Sequence, residues 1–237
     1  MSENAGAMSA RNSAARRAGL LYLLFMATFV VASTLEAKVL VPDNAAATAA
    51  TILASPLLVR IGFAGELLSA VLFVSAAWAL YVLLRPVDKN VALLFLLLNA
   101  IGVAIECTSA LGQLAALIVL TGNSNVAALP LSQAQPLASL LLNLHQYGFL
   151  VSNIFFAVWL FPLGLLVIRS GFLPKILGVL LYADGCSLLI MILQTLFFPD
   201  LTSIRLVLYP IMFVAEFSLS LWLLIVGVRD TAIAASP

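Results

Sequence analysis

Five ionisable side chains lie deep within long apolar stretches of this sequence, and their types and positions point to chemistry. They are Glu66, Glu106, His145, Asp184 and Glu216. A charged side chain at the centre of a bilayer costs about 2.5–3.5 kcal/mol on the insertion scale, so such residues usually face other helices rather than lipid. Four acids together cost on the order of 10 kcal/mol before partners are counted. Helices can be packed with residues whose insertion into the membrane costs less free energy. We therefore interpret this set as a ligand- or proton-binding site.

The chemistry open to these side chains is proton exchange and cation binding. At ~1.5 Å rise per residue from the middle of each apolar stretch, Glu106, Asp184 and Glu216 are expected near the bilayer midplane, whereas Glu66 and His145 lie about 7–10 Å further out. The sequence places no Lys or Arg at the midplane. Since carboxylates held close together in a low dielectric cannot all be ionised, at least one midplane acid is expected to carry a proton. A bound cation or a cationic ligand would balance the charge in another way.

Amide side chains accompany the ionisable residues at helical spacing. Asn99, Glu106 and Gln113 recur at seven-residue steps, which places them on one face of a helix. We predict Asn99, Gln113 and Asn153 to be supporting polar groups of the site, with helix–helix hydrogen bonding as the alternative role. The first apolar stretch has no ionisable residue before Glu36. It is therefore predicted to lie at the periphery of the bundle.

A metal centre and an enzyme active site are two further interpretations of the same residues. Four acids and one imidazole suit a hard or borderline divalent ion. However, the chain has a single histidine and no paired ExxH spacing, so no metal ligands are predicted and no cofactor is implied. The HExxH, GxSxG, P-loop and glycine-rich nucleotide motifs do not occur. Any enzyme would have to use carboxylates and His145 as acid and base. The sequence leaves the question of an enzyme open and favours a protein without catalytic activity.

Six apolar segments must position these residues. They are residues 18–40, 57–84, 90–120, 136–168, 174–197 and 205–228. Each reaches the ~20 residues that a helix needs to cross the hydrocarbon core. Composition agrees, because 64% of the 237 residues are hydrophobic and 9% are charged, against about 25% charged in soluble domains. We predict an all-α bundle of six transmembrane helices that forms one membrane domain (18–228), with a disordered basic tail (1–17) and a short C-terminal tail (229–237).

The basic residues predict the orientation of this bundle. Eight of the 11 fall on the side of the N-terminus: Arg11, Arg16, Arg17, Arg85, Lys89, Arg169, Lys175 and Arg229. The other three are Lys38, Arg60 and Arg205. The positive-inside rule therefore places both termini in the cytoplasm. The first apolar run is long enough to span the membrane, so we expect it to be retained rather than cleaved as a signal peptide.

Net charge and the connecting segments add three expectations. A net charge of +1 provides no basic face for nucleic acid, so membrane lipid is the expected partner. Residues 41–56 are predicted to form a short interfacial helix capped by Asp43 or Asn44, and residues 121–135 a surface loop. Cys107 and Cys186 are predicted to be small buried packing residues, with a bridge between helices as the alternative.

Several stretches carry a resemblance to a known family. They include AGLLYLL (18–24), AAATAATILAS (45–55), YVLLRPV (81–87), NLHQYG (143–148), RSGFLPKILGVLL (169–181) and LWLLIVGV (221–228). They resemble domain-of-unknown-function family 4386, a family of bacterial membrane proteins, over nearly the whole chain. The resemblance implies a multi-pass protein of the bacterial cytoplasmic (inner) membrane and supplies no activity.

Three functions remain open on the sequence alone. The leading hypothesis is a carrier or binding protein for a small molecule or ion, with a protonatable acidic site near the midplane. The second is a non-catalytic membrane scaffold or partner subunit, and the third is an intramembrane enzyme that modifies a lipid with His145 and Glu66. A carrier needs a cavity with access, an enzyme needs a lateral opening beside His145, and a scaffold needs neither. The ligand is expected to be a small molecule, a cation or a lipid.

Overall fold

The computed structural model describes residues 2–41, 44–122 and 129–228, with side chains from residue 9 onward. Its helices are α1 (Ser2–Val39), α2 (Ala45–Ala54), α3 (Pro56–Leu84), α4 (Lys89–Thr121), α5 (Leu131–Val158), α6 (Leu160–Arg169), α7 (Lys175–Phe197) and α8 (Arg205–Leu221). Within the described residues, six helical segments are long and apolar enough to cross a membrane. The prediction of an all-α, six-span membrane protein is confirmed. The cytoplasmic position of the termini stays a prediction.

The first helix begins at Ser2, well before the apolar run that starts at Leu20, so the described part of residues 1–17 is helical where the sequence predicted a disordered tail. This segment is rich in alanine, the residue that favours helix most. It is also packed, because Ala15 and Ala18 are fully buried. The Asn12 side chain accepts a hydrogen bond from the Val228 backbone amide at 2.9 Å. Packing and propensity together extend the helix beyond the apolar run.

The fourth span, Leu131–Arg169, is divided into α5 and α6 at Trp159. Pro162 explains the break, because it has no amide hydrogen to donate to the carbonyl of Val158 one turn earlier. Trp159 is fully buried at this point. Because α5 begins at Leu131, the connection predicted over 121–135 is shorter than expected, and its residues 123–128 lie outside the described chain.

The short helix predicted between the first two spans is α2 (Ala45–Ala54). Asn44 caps it, since its side-chain oxygen accepts a hydrogen bond from the Ala47 amide at 2.9 Å. The other candidate cap, Asp43, lies outside the described residues. The Thr48 hydroxyl accepts from the Val41 amide at 3.0 Å and lies 3.2 Å from the Val41 carbonyl. These contacts hold α2 against the end of α1.

The two cysteines are unbridged. Cys107 is half-buried and Cys186 is exposed on α7. The prediction of a buried packing residue is therefore wrong for Cys186. A thiol behaves as a small apolar group, so it fits the lipid-facing side of a helix as well as its packed side. The predicted C-terminal tail, 229–237, lies outside the described residues.

The chain divides into two compact units. The first unit comprises Met1–Leu23, Leu72–Gly102 and Asn153–Pro237, and the second comprises Leu24–Val71 and Val103–Ser152. The core of the first unit is rich in aromatic side chains, among them Tyr22, Phe73, Phe95, Phe156 and Trp159. The core of the second is aliphatic and includes Val39, Ile52, Val59, Leu117 and Leu142. Each unit contains its own group of buried ionisable residues.

Candidate functional site

Four polar side chains of the second unit form one hydrogen-bonded chain, which we call the histidine cluster: Glu36 (α1), Glu66 (α3), Gln113 (α4) and His145 (α5). The Gln113 Nε2 atom lies 3.1 Å from Glu66 Oε2 and 2.8 Å from His145 Nε2. The same His145 nitrogen lies 3.1 Å from Glu36 Oε1. Glu66 and His145 are 8% and 3% exposed, and Gln113 is also buried. The Glu36 side chain is 29% exposed and forms the accessible end of the cluster.

The two contacts of His145 Nε2 make opposite demands on its proton. An amide N–H of Gln113 needs a bare nitrogen to accept it, whereas an ionised Glu36 needs an N–H to donate to it. Exchanging the amide oxygen and nitrogen of Gln113 leaves its shape unchanged. In that orientation the oxygen accepts from His145 Nε2–H and from a protonated Glu66. Two proton arrangements therefore fit the same positions of the heavy atoms.

A third acid, Glu106, lies close to this cluster. It is almost fully buried on α4, seven residues and about 10.5 Å before Gln113. It interacts electrostatically with Glu66 and His145. Within the described chain, the ion pair at this site joins His145 to Glu36, and no Lys or Arg pairs with these three acids. One imidazole thus faces three carboxyl groups, so protons or a bound cation must balance the remaining charge.

Glycines beside the cluster allow its helices to approach closely. A Cβ atom on Gly112 would lie 2.6 Å from the Leu141 carbonyl oxygen and 3.1 Å from His145 Cβ. A Cβ atom on Gly65 would lie 3.3 Å from Ala32 Cβ. Each glycine directly precedes a cluster residue in sequence. Small residues at these helix contacts let Gln113 reach His145 and bring α3 against α1.

Two cavities lie in the second unit, and the smaller one is lined by two residues of the histidine cluster. The smaller has a volume of about 20 Å³, and its polar lining comes from Glu36 and Gln113. The larger has a volume of about 420 Å³, and its polar lining comes from Asn44, Thr48, Ser139, Asn143 and Gln146. Leu40 and Leu142 line both cavities, so they are adjacent. The cavity that Glu36 lines therefore lies beside a larger one lined by neutral polar groups of the described chain.

The first unit holds the second group of buried acids, Asp184 (α7) and Glu216 (α8), with Tyr22 (α1). The Tyr22 hydroxyl donates a hydrogen bond to Glu216 Oε1 at 3.0 Å. Asp184 is 1% exposed, interacts electrostatically with Glu216, and its Oδ2 atom has no hydrogen-bond partner among the described residues. Tyr22 itself is fully buried and stacks on Trp159, with ring centres 6.4 Å apart. The aromatic core thus fixes the hydroxyl that reaches Glu216.

The supporting amides occupy different environments. Gln113 links Glu66 to His145 as described above. Asn99 is fully buried in the first unit, and neither atom of its amide has a hydrogen-bond partner in the described chain. Asn153 is half-buried. Only Gln113 among the three is seen in contact with an ionisable residue of the predicted site.

The structure divides the residues that the sequence singled out between the two units. Glu66, Glu106 and His145 belong to the second unit, and Asp184 and Glu216 to the first. Sequence reasoning missed the two residues supplied by α1, Tyr22 and Glu36, because it placed the first span at the periphery. Their 14-residue separation puts them on one face of a helix, which is the signal that marks them. Over residues 2–41, 44–122 and 129–228, no group of three His, Cys, Asp or Glu side chains is arranged to hold a metal ion.

Comparisons with known proteins place the chain in a family. Residues 17–227 match the family model described as Domain of unknown function (DUF4386). An archaeal relative from Archaeoglobus fulgidus, named "Uncharacterized protein", is 30% identical over 174 residues, which cover 73% of this chain and 88% of the relative. No solved structure matches the chain. With six apolar helices and a family match over nearly its whole length, the chain is a multi-pass membrane protein that belongs to the DUF4386 family.

Proposed function

We propose that the protein is a carrier or binding protein for a small molecule or ion, and that the histidine cluster is its protonatable site. The observation that carries the proposal is the pair of contacts of His145 Nε2 with Gln113 and with Glu36. Because the same heavy-atom positions fit two proton arrangements, which differ in whether His145 Nε2 carries a proton, a ligand that changes the charge at Glu36 also changes where the protons lie. This coupling is what a proton-linked carrier needs.

Two observations favour a binding role over a purely structural one. Polar groups that hold transmembrane helices together are expected to be hydrogen-bonded, since an unsatisfied buried group costs about 1–3 kcal/mol. In the described chain, His145 Nδ1 in the histidine cluster has no such partner, and neither do Asp184 Oδ2 and both amide atoms of Asn99 in the first unit. In addition, the cluster adjoins cavities, which a scaffold does not require. The alternative of a membrane scaffold or partner subunit is therefore less well supported.

The geometry is also less favourable to the enzyme that the sequence suggested. Glu66 and His145 both contact Gln113 Nε2, and the structure records no hydrogen bond between them. Glu66 therefore faces the Gln113 amide, and the acid beside the imidazole is Glu36. An acid–base pair for lipid modification would have to work through the amide. We therefore prefer the carrier or binding role.

We further infer that the protein lies in the bacterial cytoplasmic membrane with both termini in the cytoplasm. The distribution of basic residues supports this orientation. The connection that contains α2 would then lie on the outer side, and the larger cavity would open toward it. Reporter fusions after residues 87, 128, 172 and 201 test the orientation. They should read inside, outside, inside and outside, and an external signal at 87 or 172 contradicts it.

Transport can be tested with purified protein in lipid vesicles that contain a trapped pH indicator. Gradients of sodium, potassium, small amines and small carboxylates are imposed one at a time. The pH change measured in protein-free vesicles is subtracted from each result. We expect at least one solute to change the internal pH, and His145→Gln and Glu66→Gln to abolish the change. Asp200→Asn, which alters an exposed acid, is the matched control and should behave as wild type. A pH change that survives in both variants contradicts the role of the histidine cluster. If no solute changes the internal pH, the carrier function is wrong.

A further inference from the structure

We propose that the two adjacent cavities bind a small primary ammonium ion, with its charged head beside Glu36 and its aliphatic part in the larger cavity, and that binding releases one proton from the histidine cluster. The inference rests on the proposed function and names the ligand class of the same site. Four features carry it: the charge of the lining, the size of the smaller cavity, its apolar walls and the contacts of His145.

The charge of the lining selects a cation. Among the described residues, Glu36 is the only ionisable one that lines either cavity, and no described Lys or Arg lines them. The polar groups of the larger cavity are neutral amides and hydroxyls, from residues such as Asn143, Gln146 and Thr48. An anion placed here would be repelled by the Glu36 carboxylate. A cation gains a charge-assisted hydrogen bond to Glu36, which is accessible enough to receive it.

The smaller cavity limits the size of the charged head. Its volume is about 20 Å³, and a cavity needs only about 10–15 Å³ by this measure to hold one water molecule. A primary ammonium group is about as large as a water molecule, so it fits between Glu36 and Gln113. A trimethylammonium head is several times larger and does not fit. The larger cavity, at about 420 Å³, falls within the range of small-molecule sites and has room for an alkyl chain.

The walls of the smaller cavity favour a carbon chain next to the charged head. Apart from Glu36 and Gln113, it is lined by aliphatic side chains and one glycine, including Val39, Ile52 and Leu142. Methylene groups gain transfer free energy when they are buried against such side chains. Inorganic cations such as sodium obtain nothing from these walls and lack oxygen ligands there beyond the two polar side chains. An alkylammonium ion uses both the carboxylate and the apolar surface.

The contacts of His145 connect ammonium binding to proton release. In the ligand-free cluster, Glu36 accepts from His145 Nε2–H, and the Gln113 oxygen accepts from Nε2–H and from protonated Glu66. The ionisable groups facing the imidazole are Glu36 (α1), Glu66 (α3) and Glu106 (α4), while α2 has none. The net charge of Glu36, His145 and Glu66 is then −1.

When an ammonium ion binds, it supplies the hydrogen bond to Glu36. The neutral imidazole then carries its proton on Nδ1, and its bare Nε2 accepts from the Gln113 amide. The second N–H of that amide donates to Glu66, which has lost its proton to water. One positive ion enters and one proton leaves, so the net charge of the site stays at −1.

Binding and proton release can be measured in the full-length protein in detergent. Butylammonium chloride is titrated by calorimetry in two buffers with different ionisation enthalpies, which yields the affinity and the number of protons released. We expect saturable binding with one proton released per ion. Butanol and butyltrimethylammonium, which lack the charge or have too large a head, should not bind at the same concentrations.

Variants separate the parts of the proposal. Glu36→Gln removes the carboxylate charge. Gly62→Leu fills the smaller cavity, and its Cβ atom would meet only Leu35 Cβ, at 3.9 Å. Both should weaken butylammonium binding at least tenfold while keeping the thermal unfolding transition of wild type. Glu66→Gln should still bind the ion but release no proton. Asp200→Asn is the control and should match wild type.

The outcomes that overturn the proposal are distinct from failure of the carrier function. Equal binding of butanol or butyltrimethylammonium, or unchanged binding in Glu36→Gln, overturns the ammonium site. A proton count that is unchanged in Glu66→Gln overturns the coupling. If butylammonium does not bind but the vesicles show proton-linked movement of another solute, the ligand class is wrong and the carrier function stands. If it binds and no solute moves, the site stands and the carrier function is wrong.

Discussion

The close approach of α4 and α5 at Gly112 gives a direct test of the histidine cluster through the substitution Gly112→Ala. The new Cβ atom would lie 2.6 Å from the Leu141 carbonyl oxygen, whereas ordinary contacts begin at about 3.4 Å. The two helices must therefore separate by about 0.8 Å. If that shift passes to the neighbouring residue, the distance between Gln113 Nε2 and His145 Nε2 rises from 2.8 Å to about 3.6 Å, beyond hydrogen-bonding range.

The energetic consequence follows from the same geometry. Overpacking costs about 1–3 kcal/mol, and a buried group that loses its partner costs about 1–3 kcal/mol. Because alanine has a higher helix propensity than glycine, the substitution also stabilises the helix by up to about 1 kcal/mol. We therefore expect a net loss of about 1–6 kcal/mol in the free energy of unfolding. Unfolding by SDS in mixed micelles measures this quantity.

A matched control and a spectroscopic signal make the test specific. Gly62→Ala is the same substitution on α3 at a position with space, since its Cβ would meet only Leu35 Cβ at 3.9 Å. It should leave the protein as stable as wild type or slightly more stable. The chain has one histidine, so ¹⁵N-histidine NMR reports on His145 alone, and its ring signals should move in Gly112→Ala and not in Gly62→Ala. If both variants are equally stable with unchanged ring signals, the inferred role of Gly112 is refuted.

Three further predictions concern the buried acids. At least one of Glu106, Asp184 and Glu216 is expected to be protonated at neutral pH. Replacing that acid with its amide (Glu→Gln or Asp→Asn) should remove a protonated-carboxyl infrared band, and the prediction fails if none of the three variants does so. Tyr22→Phe keeps the ring and deletes the 3.0 Å hydrogen bond to Glu216, so it should lower the free energy of unfolding by about 1–3 kcal/mol, while the exposed Tyr147→Phe should change it little. Asp184→Asn removes a buried acid with an unpartnered oxygen and should be neutral or stabilising, which a loss above about 1 kcal/mol would contradict.

The spans were predictable because their signal is local. A run of ~20 apolar residues is enough to identify a membrane helix, whatever the rest of the chain does. Helical spacing also indicated that Glu106 and Gln113 share a face of α4, and Gln113 is the residue that links Glu66 to His145. The break at Trp159 could have been anticipated too, since Pro162 lies inside the fourth span.

The groupings of the acids were not predictable from one sequence. Hydropathy and span midpoints indicate how deep a residue lies, but they contain no information on which helix lies beside it. That neighbour depends on where helices approach closely, as at Gly112 beside His145 and Gly65 beside Ala32. The contribution of α1 was missed for this reason. Tyr22 and Glu36 acquire their importance only from side chains on other helices.

The hydrogen-bond partners within the histidine cluster indicate what role His145 has. In a simple ion pair, the imidazolium Nε2 atom would contact one carboxylate and no other group. Here His145 Nε2 lies between the Glu36 carboxylate, which accepts a hydrogen bond, and the Gln113 amide, which can donate or accept one. Glu66 contacts the same amide. If helix packing were the only requirement, an apolar cluster of the same volume would be more stable. The arrangement is better explained by a need to move a proton when the charge at Glu36 changes, because Glu36, Glu66, Gln113 and the Nε2 atom of His145 then each have a hydrogen-bond partner in both states.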